Sequence, residues 1–219
     1  MKNKILFSFI VLAGMAVSSA MAQVLPGKQE TLKTLTLVNS YFMKKYADYT
    51  LPSKTDRVRP SNIWTRGVYY EGLMELYKIF PKEEYYQYAY GWSDFHKWGM
   101  RNGTTTRNAD DQCCGQTYID LYNICPTSPA MLKDIKACMD MLVNTPHVDD
   151  WTWIDAIQMS MPVYARIYNI TKDRKYIDYA MNAYNWSRNT CGGGLFNTQN
   201  GLWWRDKDFV PPYKESDGK

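Results

Sequence analysis

The chain has 219 residues, of which 22% are charged and 15% aromatic, and its 26 basic residues barely outnumber 22 acidic ones. That near-balance excludes an extended nucleic-acid surface. Five irregularly spaced cysteines and two histidines, His96 and His147, fit neither a disulfide framework nor a zinc site, so no metal and no cofactor are expected.

Lys2 and Lys4 precede an apolar run from Ile5 to Val17, and Ala20-Met21-Ala22 supplies small residues before Gln23. Residues 1–22 therefore read as a secretory signal peptide cleaved after Ala22, leaving a periplasmic or secreted domain over 23–219. No later stretch is long enough to span a membrane. Loss of the leader leaves 24 basic against 22 acidic residues.

The first expected helix, about 29–49, is amphipathic. Beyond it the chain repeats itself. Leu76-Tyr77-Lys-Ile79 recurs as Leu121-Tyr122-Asn-Ile124 and as Ile167-Tyr168-Asn-Ile170, at intervals of 45 and 46 residues. Each copy closes an apolar helix, meets a short polar turn and precedes a second helix, which marks an array of helical hairpins. First members are expected over 61–79, 109–124 and 151–169, and second members over 82–99, 129–144 and 172–188. The first members are apolar around much of their circumference, whereas the second carry charge or amphipathic patterning, as in Lys172, Asp173, Arg174, Lys175 and Asp178. Inner and outer layers follow from that contrast. No strand pattern stands out before residue 190, where Gly192-Gly-Gly194 and Trp203-Trp204 suggest a loop or short hairpin. Such an array either stays open as a solenoid or closes into an α/α toroid. About three and a half hairpins are present and no capping helix ends them, so an incomplete toroid, about its first half, is expected.

Two first-member helices carry the chemistry. Over 151–166 the only charged residues are Asp155 and Arg166, and the helix opened by Asn108-Ala-Asp-Asp-Gln112 has almost no charge beyond Asp110, Asp111 and Asp120. A carboxylate on a helix that reads as buried must be paired, protonated or catalytic. A helix-start carboxylate satisfied by free backbone N–H groups is the plain alternative for Asp155. The cysteines read as small packing residues, with at most one of the adjacent Cys113 and Cys114 lining a site. The abundant Trp and Tyr serve helix packing, sugar stacking or both.

Trp64-Thr-Arg-Gly-Val-Tyr-Tyr-Glu-Gly72, Asn108-Ala-Asp-Asp-Gln112 with Gly115-Gln116, Trp153-Ile-Asp155 with Met159 and Pro162, and Gly201-Leu-Trp-Trp-Arg205 occur in that order. Together they resemble the unsaturated glucuronyl and rhamnogalacturonyl hydrolases, glycoside hydrolase families 88 and 105, nearer to 105. The resemblance implies an (α/α)6 barrel and removal of the unsaturated uronic acid from lyase-generated oligosaccharides, by hydration of its C4=C5 bond. It assigns Asp155 as general acid/base and the second carboxylate to Asp110 or Asp111, with Asp110 favoured by its spacing to Gly115. Trp64, Arg66, Trp203, Trp204 and Arg205 fall where substrate contacts are implied, although many relatives carry His at the position of Arg205. Ordinary packing and a surface ion pair are the plain alternatives for Trp64 and Arg66. The later Trp-x-Arg-Gly-Asn-Gly-Trp motif does not occur before Lys219. The implied partner is the uronyl oligosaccharide; oligomeric state is not readable. A non-catalytic helical-repeat scaffold and another (α/α)6 enzyme such as an epimerase are the alternatives. The former has no reason to bury carboxylates, and the latter would be expected to place histidines on inner helices.

Overall fold

A computed structural model describes residues 25–54 and 57–212, so the leader expected over 1–22 lies outside the described residues. The chain divides into two units, residues 1–38 and 39–219. The described part of the first is the opening of α1 (Lys28–Lys45), where the Thr31 N–H donates to the Gly27 carbonyl. The second holds the end of α1 and every other element.

Three hairpins follow in the second unit. The first members are α2 (Trp64–Ile79), the run α4 (Ala109–Gln112) and α5 (Cys114–Ile124), and α7 (Ile154–Thr171). Their partners are α3 (Glu83–Phe95), α6 (Ala130–Val143) and α8 (Lys175–Asn189). First members pack side by side, α2 on α5 and α5 on α7, while α3 and α6 lie against α5, and α8 against α7. This is the all-α, two-layer arrangement of an α/α toroid. Outer helices bury one stripe at helical spacing, such as Met131, Ile135, Cys138, Met139 and Leu142 on α6.

Burial all round holds for one inner helix only. Every residue of α5 from Cys114 to Leu121 is buried, because α5 has inner neighbours on both sides and outer helices behind. In contrast, α2 leaves Trp64 and Val68 exposed, and α7 leaves Asp155 and Gln158 exposed. Asp155 is thus not the buried carboxylate that the apolar surroundings in sequence suggested. The repeat has a packing basis, since Leu76, Leu121 and Ile167 are buried while Ile79, Ile124 and Ile170 emerge at the helix ends.

Boundaries shift where tertiary contacts override pattern. The helix expected to reach 99 stops at Phe95, because Lys97 and Trp98 turn left-handed (φ 52° and 59°) and swing the Trp98 ring against Tyr118 and Tyr90. The helix expected from 151 starts at Ile154, since Trp153 is extended and bridges to Asp206. A two-residue antiparallel ladder, β1 (Ser53–Lys54) with β2 (Val58–Arg59), escaped a reading that saw no strand before 190. It is too short for alternation to show. The expected turn after 190 is present: Gly192, Gly193 and Gly194 all have positive φ, and Phe196 pairs with Trp203.

Pro162 sits inside α7 and cannot donate to the Gln158 carbonyl. Gln116 of α5 makes up the loss: its Nε2 donates to the Gln158 carbonyl at 3.0 Å and to the Met159 carbonyl at 3.2 Å. The motif residues Gln116, Met159 and Pro162 are therefore one contact read from two helices. Gln116→Met should cost about 1–3 kcal/mol by leaving the Gln158 carbonyl and one Arg166 guanidinium donor unmet. Pro162→Ala restores the N–H, so a double-mutant cycle by denaturant unfolding should show coupling of about 0.5–3 kcal/mol. Additive effects would mean that Gln116 does not repair the proline.

Candidate active site

The N-terminal ends of α4 and α7 carry the two candidate carboxylates. Asn108 caps α4, its Oδ1 accepting from the Asp110 N–H at 2.8 Å, which sets Asp110 in the first turn. One residue later, Asp111 points the other way and is fully buried. Arg101 Nε lies 2.8 Å from its Oδ1, and Asn102 Nδ2 and the Thr106 hydroxyl both donate to its Oδ2 at 2.7 Å. Asp111 is thus committed to holding the 101–106 turn, whereas Asp110 is only half-buried.

A similar pairing removes the other inner charges from consideration. Arg166 of α7 grips Asp120 of α5 through Nε at 3.0 Å and Nη2 at 3.2 Å, and its Nη1 donates to Gln116 Oε1 at 2.8 Å. Asp110 and Asp155 form no ion pair among the described residues. They do sense each other: burial pushes the Asp110 carboxyl above the ordinary aspartate range, the Asp111 charge adds to this, Arg101 and Arg59 oppose it, and the Asp155 charge raises it further. The buried Ser160 hydroxyl, donating to Gln112 Oε1 at 2.5 Å, pins α4 to α7 just behind the two carboxylates.

The 203–206 strand closes this end of α7. The Ile154 N–H donates to the Arg205 carbonyl at 2.8 Å, placing Arg205 beside the residue preceding Asp155. The Arg205 side chain is mostly exposed, pairs with Asp206 at 2.6 Å and lies over the Phe209 ring. Trp203 packs on Tyr184 and Phe196, and Trp204 is half-buried, its N–H given to the Leu195 carbonyl. Trp64, the first residue of α2, is 40% exposed. Arg66 does not join the carboxylates. It is buried, its guanidinium 3.8 Å from the Tyr46 ring centroid, rather than forming a surface ion pair.

Several polar residues escaped sequence reasoning. Glu71 accepts two bonds from Gln158 Nε2, at 2.9 and 2.8 Å, one turn below Asp155, and burial raises its carboxyl. The spacing of Gln158 from Asp155 was the available signal, since residues three apart share a helix face. Arg107 clamps Asp150 with Nε at 2.7 Å and Nη2 at 2.6 Å, fixing the loop that leads into α7. The cysteines are packing residues. All five are free thiols, and both Cys113 and Cys114 are buried, so neither lines the site. Burial pushes the Cys114 and Cys138 thiols up to about 12, which removes them as nucleophiles. His96 is held neutral by burial, at about 4, beside Ser61, and His147 is exposed near Asp149; neither reaches the carboxylates. Among the described residues no group of three His, Cys, Asp or Glu side chains could hold a metal.

The fold is an inner/outer array of helical hairpins of the α/α-toroid class, with Asp110 and Asp155 in the first turns of two inner helices that pack together. The chain belongs to glycoside hydrolase family 88, which it matches over residues 34–219. Among solved structures it is similar to one titled a polysaccharide lyase, at 26% identity and a TM-score of 0.73, covering 87% of this chain and 54% of that one. A family 88 glycosyl hydrolase from Bacteroides vulgatus shares the fold, at 24% identity and a TM-score of 0.72, covering 84% and 53%. The chain thus spans about half the length of these two structures. No curated protein matches.

Ionising a carboxyl that is pushed upward costs the folded state. The penalty is absent below the ordinary aspartate value of 3.8, sets in as the pH rises past it, and is complete above the shifted value. Asp110→Asn should therefore raise the melting temperature at pH 7 and leave it unchanged at pH 3. An equal change at both pH values would remove the electrostatic cause.

Proposed function

We propose that this protein is an unsaturated uronyl hydrolase, exported to the periplasm or beyond, which removes the terminal unsaturated uronic acid from lyase-generated oligosaccharides of the rhamnogalacturonan type. The observation that carries the reading is the pair Asp110 and Asp155. They project from different inner helices, are unpaired among the described residues, and sit close enough for one charge to act on the other. Family 88 membership and the motif resemblance to family 105 supply the substrate class.

In this reading the Asp155 carboxyl gives its proton to C4 of the vinyl ether, and the ring oxygen shares the positive charge developing at C5. The resulting Asp155 carboxylate takes a proton from water as the water oxygen bonds to C5. The product hemiketal opens, the glycosidic bond breaks, and the remaining oligosaccharide departs. Asp155, exposed at a helix start, can exchange its proton with each incoming water. Asp110, pushed towards its acid form, stays a hydrogen-bond donor to a sugar oxygen at pH values where an ordinary aspartate could only accept. Trp64 and the Trp203–Arg205 strand are the sugar-facing walls.

The similarity to a structure titled a polysaccharide lyase favours a second reading, elimination rather than hydration. One assay separates them by sign. Hydration consumes the ultraviolet absorbance of the C4=C5 double bond, and elimination creates it. The full-length protein should bleach a lyase-generated unsaturated disaccharide. Asp155→Asn, nearly isosteric, should slow this by about 10²–10⁴-fold or more with helicity unchanged. Rising absorbance on intact polymer would favour the lyase, and near-normal bleaching by the variant would remove Asp155 from the mechanism.

A further inference from the structure

Arg66 poses a problem that the carboxylate site does not solve. Arg66 is only 6% exposed, yet its Nη1 has no hydrogen-bond partner among the described residues. The Tyr46 ring at 3.8 Å and the Phe42 ring at 5.7 Å stabilise the cation through their faces. Ring faces accept no N–H bond in the guanidinium plane, however, and an uncompensated buried donor on a charged group is costly.

Arg66 borders a cavity of about 430 Å³ enclosed by the end of α1, the 46–54 segment and the first turn of α2. Lys45 and Lys54 line the same cavity, as does Thr65, whose buried hydroxyl is also unmet. Lys45 Nζ stands 5.5 Å from the Tyr46 centroid, so two cations share that ring. Among the described residues the lining sets three cations against one carboxylate, Asp48, whose Oδ1 is occupied by the N–H and hydroxyl of Thr50. The cavity is therefore electropositive, with unmet donors at its wall and aromatic faces beside them.

We propose that this cavity, whose lining includes neither Asp110 nor Asp155, is an anion-binding subsite that takes the carboxylate of an acidic sugar residue. The planar fork of Arg66 matches a carboxylate in geometry, and the two lysines supply charge at the mouth. The volume lies in the range of small-ligand pockets. Phe42, Leu51 and Pro52 line the same cavity, so apolar surface lies beside the charge, which suits a sugar carrying a carboxylate better than a bare inorganic anion. The site would hold acidic glycan whether or not Asp155 is the catalytic acid. It goes beyond the hydrolase reading and stands or falls separately from it.

The test is calorimetric titration of the full-length protein with sodium galacturonate, galactose and sodium sulfate at constant ionic strength. Galacturonate should bind saturably, galactose should not bind, and sulfate should bind more weakly than galacturonate. Lys45→Gln with Lys54→Gln changes two exposed side chains and should weaken galacturonate binding by about tenfold or more with unchanged thermal unfolding. Arg66→Lys, which keeps the charge and loses the fork, should weaken it as well. Asp110→Asn with Asp155→Asn should leave this binding in place while abolishing turnover, so that failure of the subsite and failure of the hydrolase reading stay distinguishable. Absence of saturable galacturonate binding, binding indifferent to the two lysines, sulfate binding at least as tightly, or loss in the double carboxylate variant would each overturn the assignment.

Discussion

The arrangement of the inner helices depends on how few charges they carry and how those charges are spent. Moving a carboxylate or guanidinium out of water is costly unless the partner geometry is close and the remaining hydrogen-bond positions are filled. Asp120 and Arg166 meet this condition across α5 and α7, with Gln116 taking the spare guanidinium donor. Asp111 has Arg101 Nε 2.8 Å from its Oδ1 and accepts hydrogen bonds from Asn102 and Thr106 at its Oδ2. What is left on the low-charge stretches of α4, α5 and α7 is Asp110 and Asp155. The candidate site is thus defined by subtraction: these two are left without ion partners among the described residues, at one end of the inner layer.

The same helices are tied together by uncharged contacts that act at the level of backbone geometry. A proline inside α7 would leave a carbonyl unmet and the helix free to bend, and Gln116 removes that freedom by supplying the donor from α5. About one turn nearer the N-terminus than Gln116, Gln112 accepts from Ser160 and donates through Nε2 to the Thr106 carbonyl, linking α4, α7 and the turn that Asp111 holds. Glutamine suits both positions because one planar amide can donate and accept at once. The spacing between the Asp110-bearing and Asp155-bearing helix starts therefore rests on buried amides, which are insensitive to pH and salt.

The hairpin array was legible because a buried helix and a half-exposed helix differ in composition, and the Leu-Tyr-x-Ile repeat fixed their order. The candidate carboxylates were legible for a related reason: charge is conspicuous where it is rare. Other features had no local signature. Asp155 read as buried because the residues around it are apolar, yet α7 has a free face and Asp155 lies on it; sequence shows which side chains share a helix, not what covers them. Arg66 sits in a motif with Trp64, but two residues along a helix separate them by about 200° at 3.6 residues per turn, and the two face different neighbours. The end of α3 was displaced by the burial of Trp98, a gain of tertiary contact that outweighs two left-handed residues. The β1–β2 ladder is too short for any periodicity.

Adjacent aspartates in one helical turn end up with opposite fates, and the difference is itself a device. Asp111 is fixed in place by one cation and two neutral donors, so its carboxylate belongs to the scaffold. That charge, together with burial, works against ionisation of Asp110 next to it. Arg101 partly offsets the effect, since it serves Asp111 directly and Asp110 only at longer range. Burial is the strongest upward cause at Asp110, and the Asp111 charge reinforces it more than that of Asp155 does, while Arg101 and Arg59 pull the other way. The structural carboxylate therefore contributes to the site without facing it, by biasing the protonation of its neighbour. Exchanging the two roles would require turning α4 by roughly 100°, the rotation per residue of a helix with 3.6 residues per turn. The Asn108 cap and the Gln112–Ser160 contact oppose that rotation from either end of α4.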